Sequence, residues 1–148
     1  MKNLAILVDK LGFTQKSQML CEELNKMSED INVTVFCAEY APVPIKTNFP
    51  VMELIKCYDF KGVFIATDFY TVQIMNNCLF PQKKFFYVWD LEYLYHPLPF
   101  DILNNLYNSK DVELLSRNVD RDMILESVWK RPHSVLHEFN HKELEALL

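Results

Sequence analysis

Leu4-Ala5-Ile6-Leu7-Val8-Asp9 is the stretch on which the fold turns. Five apolar residues in succession, stopped by a carboxylate, form the pattern of a strand covered on both faces. Such a strand belongs in the centre of a parallel sheet. The same pattern returns at Gly62-Val63-Phe64-Ile65-Ala66 and at Phe85-Phe86-Tyr87-Val88-Trp89. Ile31-Asn32-Val33-Thr34-Val35-Phe36-Cys37 alternates at first, as a less completely covered, off-centre strand would. Val112 to Leu115 and Ser134 to Leu136 supply a fifth and a short sixth strand.

Helices are expected between these runs. Thr14 can cap one whose apolar positions Leu20, Leu24 and Met27 share a face. Asp68 can cap another carrying Val72, Met75 and Leu79 up to Pro81, and Pro99 suits the first turn of a third through Leu103 and Leu106. Asn118 can cap a fourth bearing Met123, Ile124 and Val128, and Lys142 to Leu148 reads as a terminal helix. Met52 to Tyr58, after Pro42, Pro44 and Pro50, reads as a short helix using Leu54 and Ile55. Strands spaced by helices favour right-handed crossovers, which predicts a three-layer, doubly wound, mainly parallel α/β sheet.

At 148 residues, half of them hydrophobic, the chain is expected to form one domain over 1–148. The formal charge is -5 and the 15 basic residues are scattered, which disfavours binding to nucleic acid. No apolar run approaches the roughly 20 residues of a membrane span, and the first residues do not read as a signal peptide. A cytoplasmic protein is expected. Cys21, Cys37, Cys57 and Cys78 contain no C-x-x-C pair and are read as small core residues.

Ligands of an open parallel sheet gather outside the carboxyl ends of its strands. That rule selects Asp9, Lys10 and Gly12 after the first strand and Thr67 and Asp68 after the third. Trp89, Asp90, Glu92 and Tyr93 follow the fourth, and Ser116 and Arg117 the fifth. Asp90 and Glu92 form an acid pair beside Trp89, Tyr93, Tyr95 and His96, which suits a sugar or nucleotide. The plainer alternative is that Asp90 satisfies backbone donors while the aromatics pack. Arg117 next to the Asn118 cap can hold one phosphate, or be an ordinary exposed basic residue.

With Gly12 and Gly62 the only glycines, neither G-x-G-x-x-G nor a P-loop can be written, so no nucleotide cofactor is expected. His137-Glu138-Phe139-Asn140-His141 matches H-E-x-x-H, which binds zinc when helical. A strand running into the motif argues against that, and solvated histidines are the ordinary reading. No metal is expected, and no hydrolase signature appears.

Gly62 to Asp68, Lys84 to Tyr93 with its strand-end Trp89-Asp90-Leu91-Glu92, and Leu115 through Asn140 carry a family likeness. In their order these stretches resemble the N-terminal, acceptor-side half of GT-B glycosyltransferases, a type often encoded by phages. The resemblance implies a Rossmann-like half in which Asp90 or Glu92 orients or deprotonates an acceptor hydroxyl and Trp89 or Tyr93 stacks on it. It also implies a sugar or nucleotide-sugar ligand. The family's donor-binding domain, with its E-x-x-x-x-x-x-E element, has no counterpart here. A separate donor-binding chain or a homo-oligomer is therefore expected to complete any transfer. The other reading is a non-catalytic module whose exposed aromatics Phe80, Tyr93, Tyr95 and Phe100 meet a partner.

Overall fold

The structure, a computed structural model, describes residues 1–96 and 98–148; Pro97, at the end of the aromatic and acidic segment, lies outside them. β1 (Lys2–Leu11) leads into α1 (Gln15–Leu24), β2 (Ile31–Tyr40), β3 (Val51–Glu53) and β4 (Val63–Ala66). Then follow α2 (Phe69–Asn76), β5 (Lys83–Val88), α3 (Phe100–Tyr107), β6 (Glu113–Ser116), α4 (Val119–Val128), β7 (Ser134–Val135) and α5 (His141–Leu147). The seven strands form one sheet in the order β3-β2-β1-β4-β5-β6-β7, and every pairing is parallel. This is a Rossmann-like α/β sheet.

Alternation along β1 divides the core into two halves. Leu4, Ile6 and Val8 pack with Leu20 and Leu24 of α1 and Leu144 and Leu147 of α5. Ala5 and Leu7 face the other way, toward Val72 and Met75 of α2, Leu106 of α3 and Leu125 of α4. Both faces are covered, as the unbroken apolar run required. Thr14 caps α1 by accepting the Ser17 N–H, and Asn118 caps α4 by accepting that of Arg121. Asp68 and Thr71 form a reciprocal capping box at the start of α2.

Several expectations are corrected. The sheet has seven strands where six were expected, because Val51–Glu53 pairs with Val35 to Cys37 as an edge strand. The helix expected from Met52 to Tyr58 is instead that strand followed by a 3-10 turn, Leu54–Asp59. Leu54 and Cys57, three apart, are its buried pair, whereas Ile55 is exposed, since neighbouring residues cannot share one narrow face. α2 ends at Asn76, well before Pro81, and leaves Leu79 87% exposed beyond it. The apolar stripe expected on the inner face of α4 lies outside: Met123, Ile124 and Val128 point outward and only Leu125 is buried. Asn118, Arg121, Asp122, Leu125 and Trp129 recur at helical spacing, and on that side Asp122 Oδ1 accepts the Ser116 hydroxyl at 2.8 Å while Arg121 Nη1 donates to Trp89 O at 2.6 Å. A polar inner face made periodicity misleading. Among the described residues no helix is long and apolar enough to cross a membrane.

Candidate functional site

β1 and β4 lie side by side at the point where the strand order reverses. The connection after β1 covers one face and that after β4 covers the other, which opens a crevice at their carboxyl ends. Parity places Asp9 on the α2 side with Ala5 and Leu7, where it lines the cleft beside Asp68. The Asp9 backbone N–H donates to Asp68 Oδ2 at 3.1 Å, and both residues line the crevice. Asp68 spends its other oxygen on the Thr71 N–H at 2.9 Å. Thr67 is buried and donates its hydroxyl to Leu7 O at 3.1 Å, tying β4 to β1.

Glu92 enters from the turn after β5. Its Oε1 accepts the Phe69 N–H, the first amide of α2, at 3.2 Å. Burial raises the Glu92 carboxyl, and the Asp68 and Asp90 carboxylates add to the rise, bringing it to about 7 against the opposing Phe69 hydrogen bond and Lys16. Asp9 is likewise raised, by burial and then by Asp68. Lys16 reaches over from the first turn of α1 and donates its ammonium to Thr67 O at 3.2 Å. Burial lowers its pKa, against the pull of Asp68, Glu92, Asp90 and Asp9.

Asp9, Asp68, Glu92, Tyr70, Gln73 and His96 line a cleft of about 320 Å³. That is the low end of the size of small-ligand pockets, roughly 300–1,000 Å³. A larger hollow of about 450 Å³ beside β2 and β3 has Glu53 as its one carboxylate, with Cys37 and Tyr40 in its lining. The cleft offers carboxylate oxygens to hydroxyl or amine donors and a carboxyl that can take up a proton near neutrality, while the Lys16 ammonium nearby is held on Thr67 O.

The other selected residues stand outside the cleft. Lys10 is exposed and pairs with Glu39 at 3.2 Å, and the Gly12 N–H donates to Ser17 Oγ at 3.1 Å within the turn into α1. Trp89 is buried in the α1-side core, stacked on Phe139 at 5.0 Å, with the Arg117 guanidinium 3.7 Å from its ring centroid. Arg117 also pairs with Glu138 through two nitrogens at 3.2 Å. Asp90 lies at the margin, 3.5 Å from Arg121. Tyr93 sets its ring edge-on to Tyr107 and Trp129, in the layer between α3 and α4. Of the four aromatics read as one surface, Phe80 sits at the amino end of the sheet over Lys61, apart from Tyr93, Tyr95 and Phe100.

His137-Glu138-Phe139 is a 3-10 turn with positive φ at Glu138 and Phe139, so no helix runs through the H-E-x-x-H motif. Its histidines are not simply solvated. His137 Nδ1 meets Glu143 at 2.9 Å and His141 Nδ1 meets Glu23 at 2.9 Å, on separate sides.

The sequence set His96 beside the acid pair, but it did not mark Tyr70 and Gln73 as members of the cleft or Lys16 as its neighbour. For Lys16 and Tyr70 a signal existed: a capped helix after a buried strand puts its first turn at the strand's carboxyl end. None of the protein-family models, curated proteins or solved structures compared with the chain matches it.

Proposed function

We propose that the chain is the acceptor-side half of a GT-B-type glycosyltransferase. In this reading the cleft holds a sugar acceptor and Glu92 takes the proton from the hydroxyl that attacks the donor. The observation that carries it is the Glu92 carboxyl, raised to about 7 in an open cleft at the strand switch point, where a general base for a hydroxyl is best poised. Asp68 and Asp9 would accept the neighbouring hydroxyls and Lys16 would donate to a ring or hydroxyl oxygen. Asp90, engaged by Arg121, would position the turn that carries Glu92. The Rossmann-like sheet is the architecture such a half requires. Donor sugar and leaving group would be supplied by a second domain or chain, since transfer needs both substrates in one cleft.

Calorimetric titration of methyl glycosides and nucleotide sugars tests the reading. Millimolar affinity for a glycoside, lost in Asp68→Ala, is the expected result. No heat for any sugar at millimolar concentration defeats it.

The second reading is an interaction module that self-associates, and the exposed apolar side chains of α4, Met123 and Val128 with Val119, favour it. A dimer by light scattering that dissociates in Met123→Lys supports this reading, and a strict monomer at high concentration rules out the self-associating form.

A further inference from the structure

A parallel sheet ordinarily seats phosphate at this point, because the helices that follow the strands aim their first N–H groups into the crevice. Here the chain's own oxygens occupy some of those seats, including the first of α2, while the Tyr70, Gln15 and Lys16 N–H groups have no such partner among the described residues. In the first turn of α2, the Thr71 N–H donates to Asp68 at 2.9 Å and the Phe69 N–H donates to both Glu92 oxygens, at 3.2 and 3.5 Å. At α1, the Ser17 N–H donates to the Thr14 hydroxyl and the Gly12 N–H to that of Ser17, each at 3.1 Å. The Asp9 N–H, between the two helices, is held by Asp68.

Nor do the nearby cations offer an alternative. Arg117 is clamped by Glu138 and stacked on Trp89, and Arg121 is divided between Asp90 and Trp89 O. The Lys16 ammonium donates to Thr67 O, and the surrounding carboxylates of Asp68, Glu92, Asp90 and Asp9 outnumber it. A phosphate carries close to two negative charges near neutrality and would meet the repulsion of those carboxylates, whereas an uncharged hydroxyl can donate to them without it.

We propose that Glu92 is a specificity-determining residue whose carboxylate stands in for a ligand phosphate at the start of α2 and so excludes phosphate-bearing ligands from the cleft. The excluded class depends only on these contacts; that the admitted ligand is a sugar rests on the acceptor reading above. On that reading, the nucleotide part of any donor is bound by surfaces beyond this cleft.

The test is amide NMR of the full chain at about pH 8, where Glu92 is ionised. Inorganic phosphate, uridine diphosphate and a methyl glycoside are titrated separately into wild type, Glu92→Ala and Glu92→Gln. Alanine vacates the Phe69 N–H, whereas glutamine removes the charge but keeps an oxygen on it, so the pair separates occupancy from charge. Spectra with native dispersion establish that each variant is folded.

Wild type is expected to show no saturable shift of the Phe69 and Tyr70 amides with either phosphate. Glu92→Ala gains such a shift, with affinity at least about tenfold above wild type, and Glu92→Gln stays close to wild type. Equal phosphate binding by wild type and Glu92→Ala overturns the proposal. So does an absence of gain in Glu92→Ala, or a gain in Glu92→Gln equal to that of alanine. The glycoside arm reports separately: if it shifts nothing while the phosphate arms behave as stated, the acceptor reading falls and the exclusion of phosphate stands.

Discussion

Gly62 precedes β4 with a φ of +157°, and its α-carbon lies against β1, where an added Cβ would come 2.7 Å from Asn3 Cβ and closer still to the Asn3 carbonyl oxygen. The neighbour is backbone in a paired strand and cannot move aside. Gly62→Ala is therefore expected to cost about 2–4 kcal/mol, the range of strained or overpacked core positions, read as a lowered denaturation midpoint in urea. A loss below about 1 kcal/mol would show that β1 and β4 separate more easily than their register implies. The same scale explains why Lys16 escapes a reading of motifs. Nothing in its neighbours marks it, and its role comes from a side chain long enough to cross from α1 to the end of β4.

α2 depends on Asp68 more than on its own composition. The side chain caps Thr71 and holds the Asp9 N–H, so one residue joins the helix that follows β4 to the end of β1. Asp68→Ala is expected to lower stability by roughly 1–3 kcal/mol, combining a lost cap with an unpaired amide, offset in part by relief of Asp9 and Glu92. Asp68→Asn keeps the capping oxygen and should recover most of the loss in thermal unfolding. Equal losses would place the effect in the charge and not in the cap. Elements were most legible where apolar runs were unbroken, as in β1, β4 and β5. They misled in α4, whose inward face carries Arg121 and Asp122, so hydrophobic spacing selected the solvent side.

Across the whole molecule, two glutamates impose opposite dependences on pH. Glu92, raised to about 7 by burial and by Asp68, holds its proton in the folded state while the unfolded chain has already lost it. Its contribution is present below about pH 4.5 and is lost as pH rises through about 7, a fall of roughly 1–2 kcal/mol once partial exposure is allowed for. Burial would raise Glu23 too, but hydrogen bonds from Lys26 and His141 hold it down at about 2. Its contribution is present above about pH 4.5 and disappears as pH falls toward 2. Urea unfolding at about pH 5 and pH 8 should show wild type losing stability and Glu92→Gln losing markedly less; equal losses would remove Glu92 as the source. The parallel sheet and the cluster of Asp9, Thr67, Asp68 and Glu92 were readable because strand ends follow directly from apolar runs, and chain order places those ends together. The sequence alone determined that buried parallel strands would gather acidic groups at one end, since that depends on local pattern. Only the tertiary structure decided which groups face the cleft, that Trp89, Tyr93 and Arg117 are spent on packing and pairing, and that Glu92 sits on the first amide of α2, because each depends on contacts between residues distant in the chain.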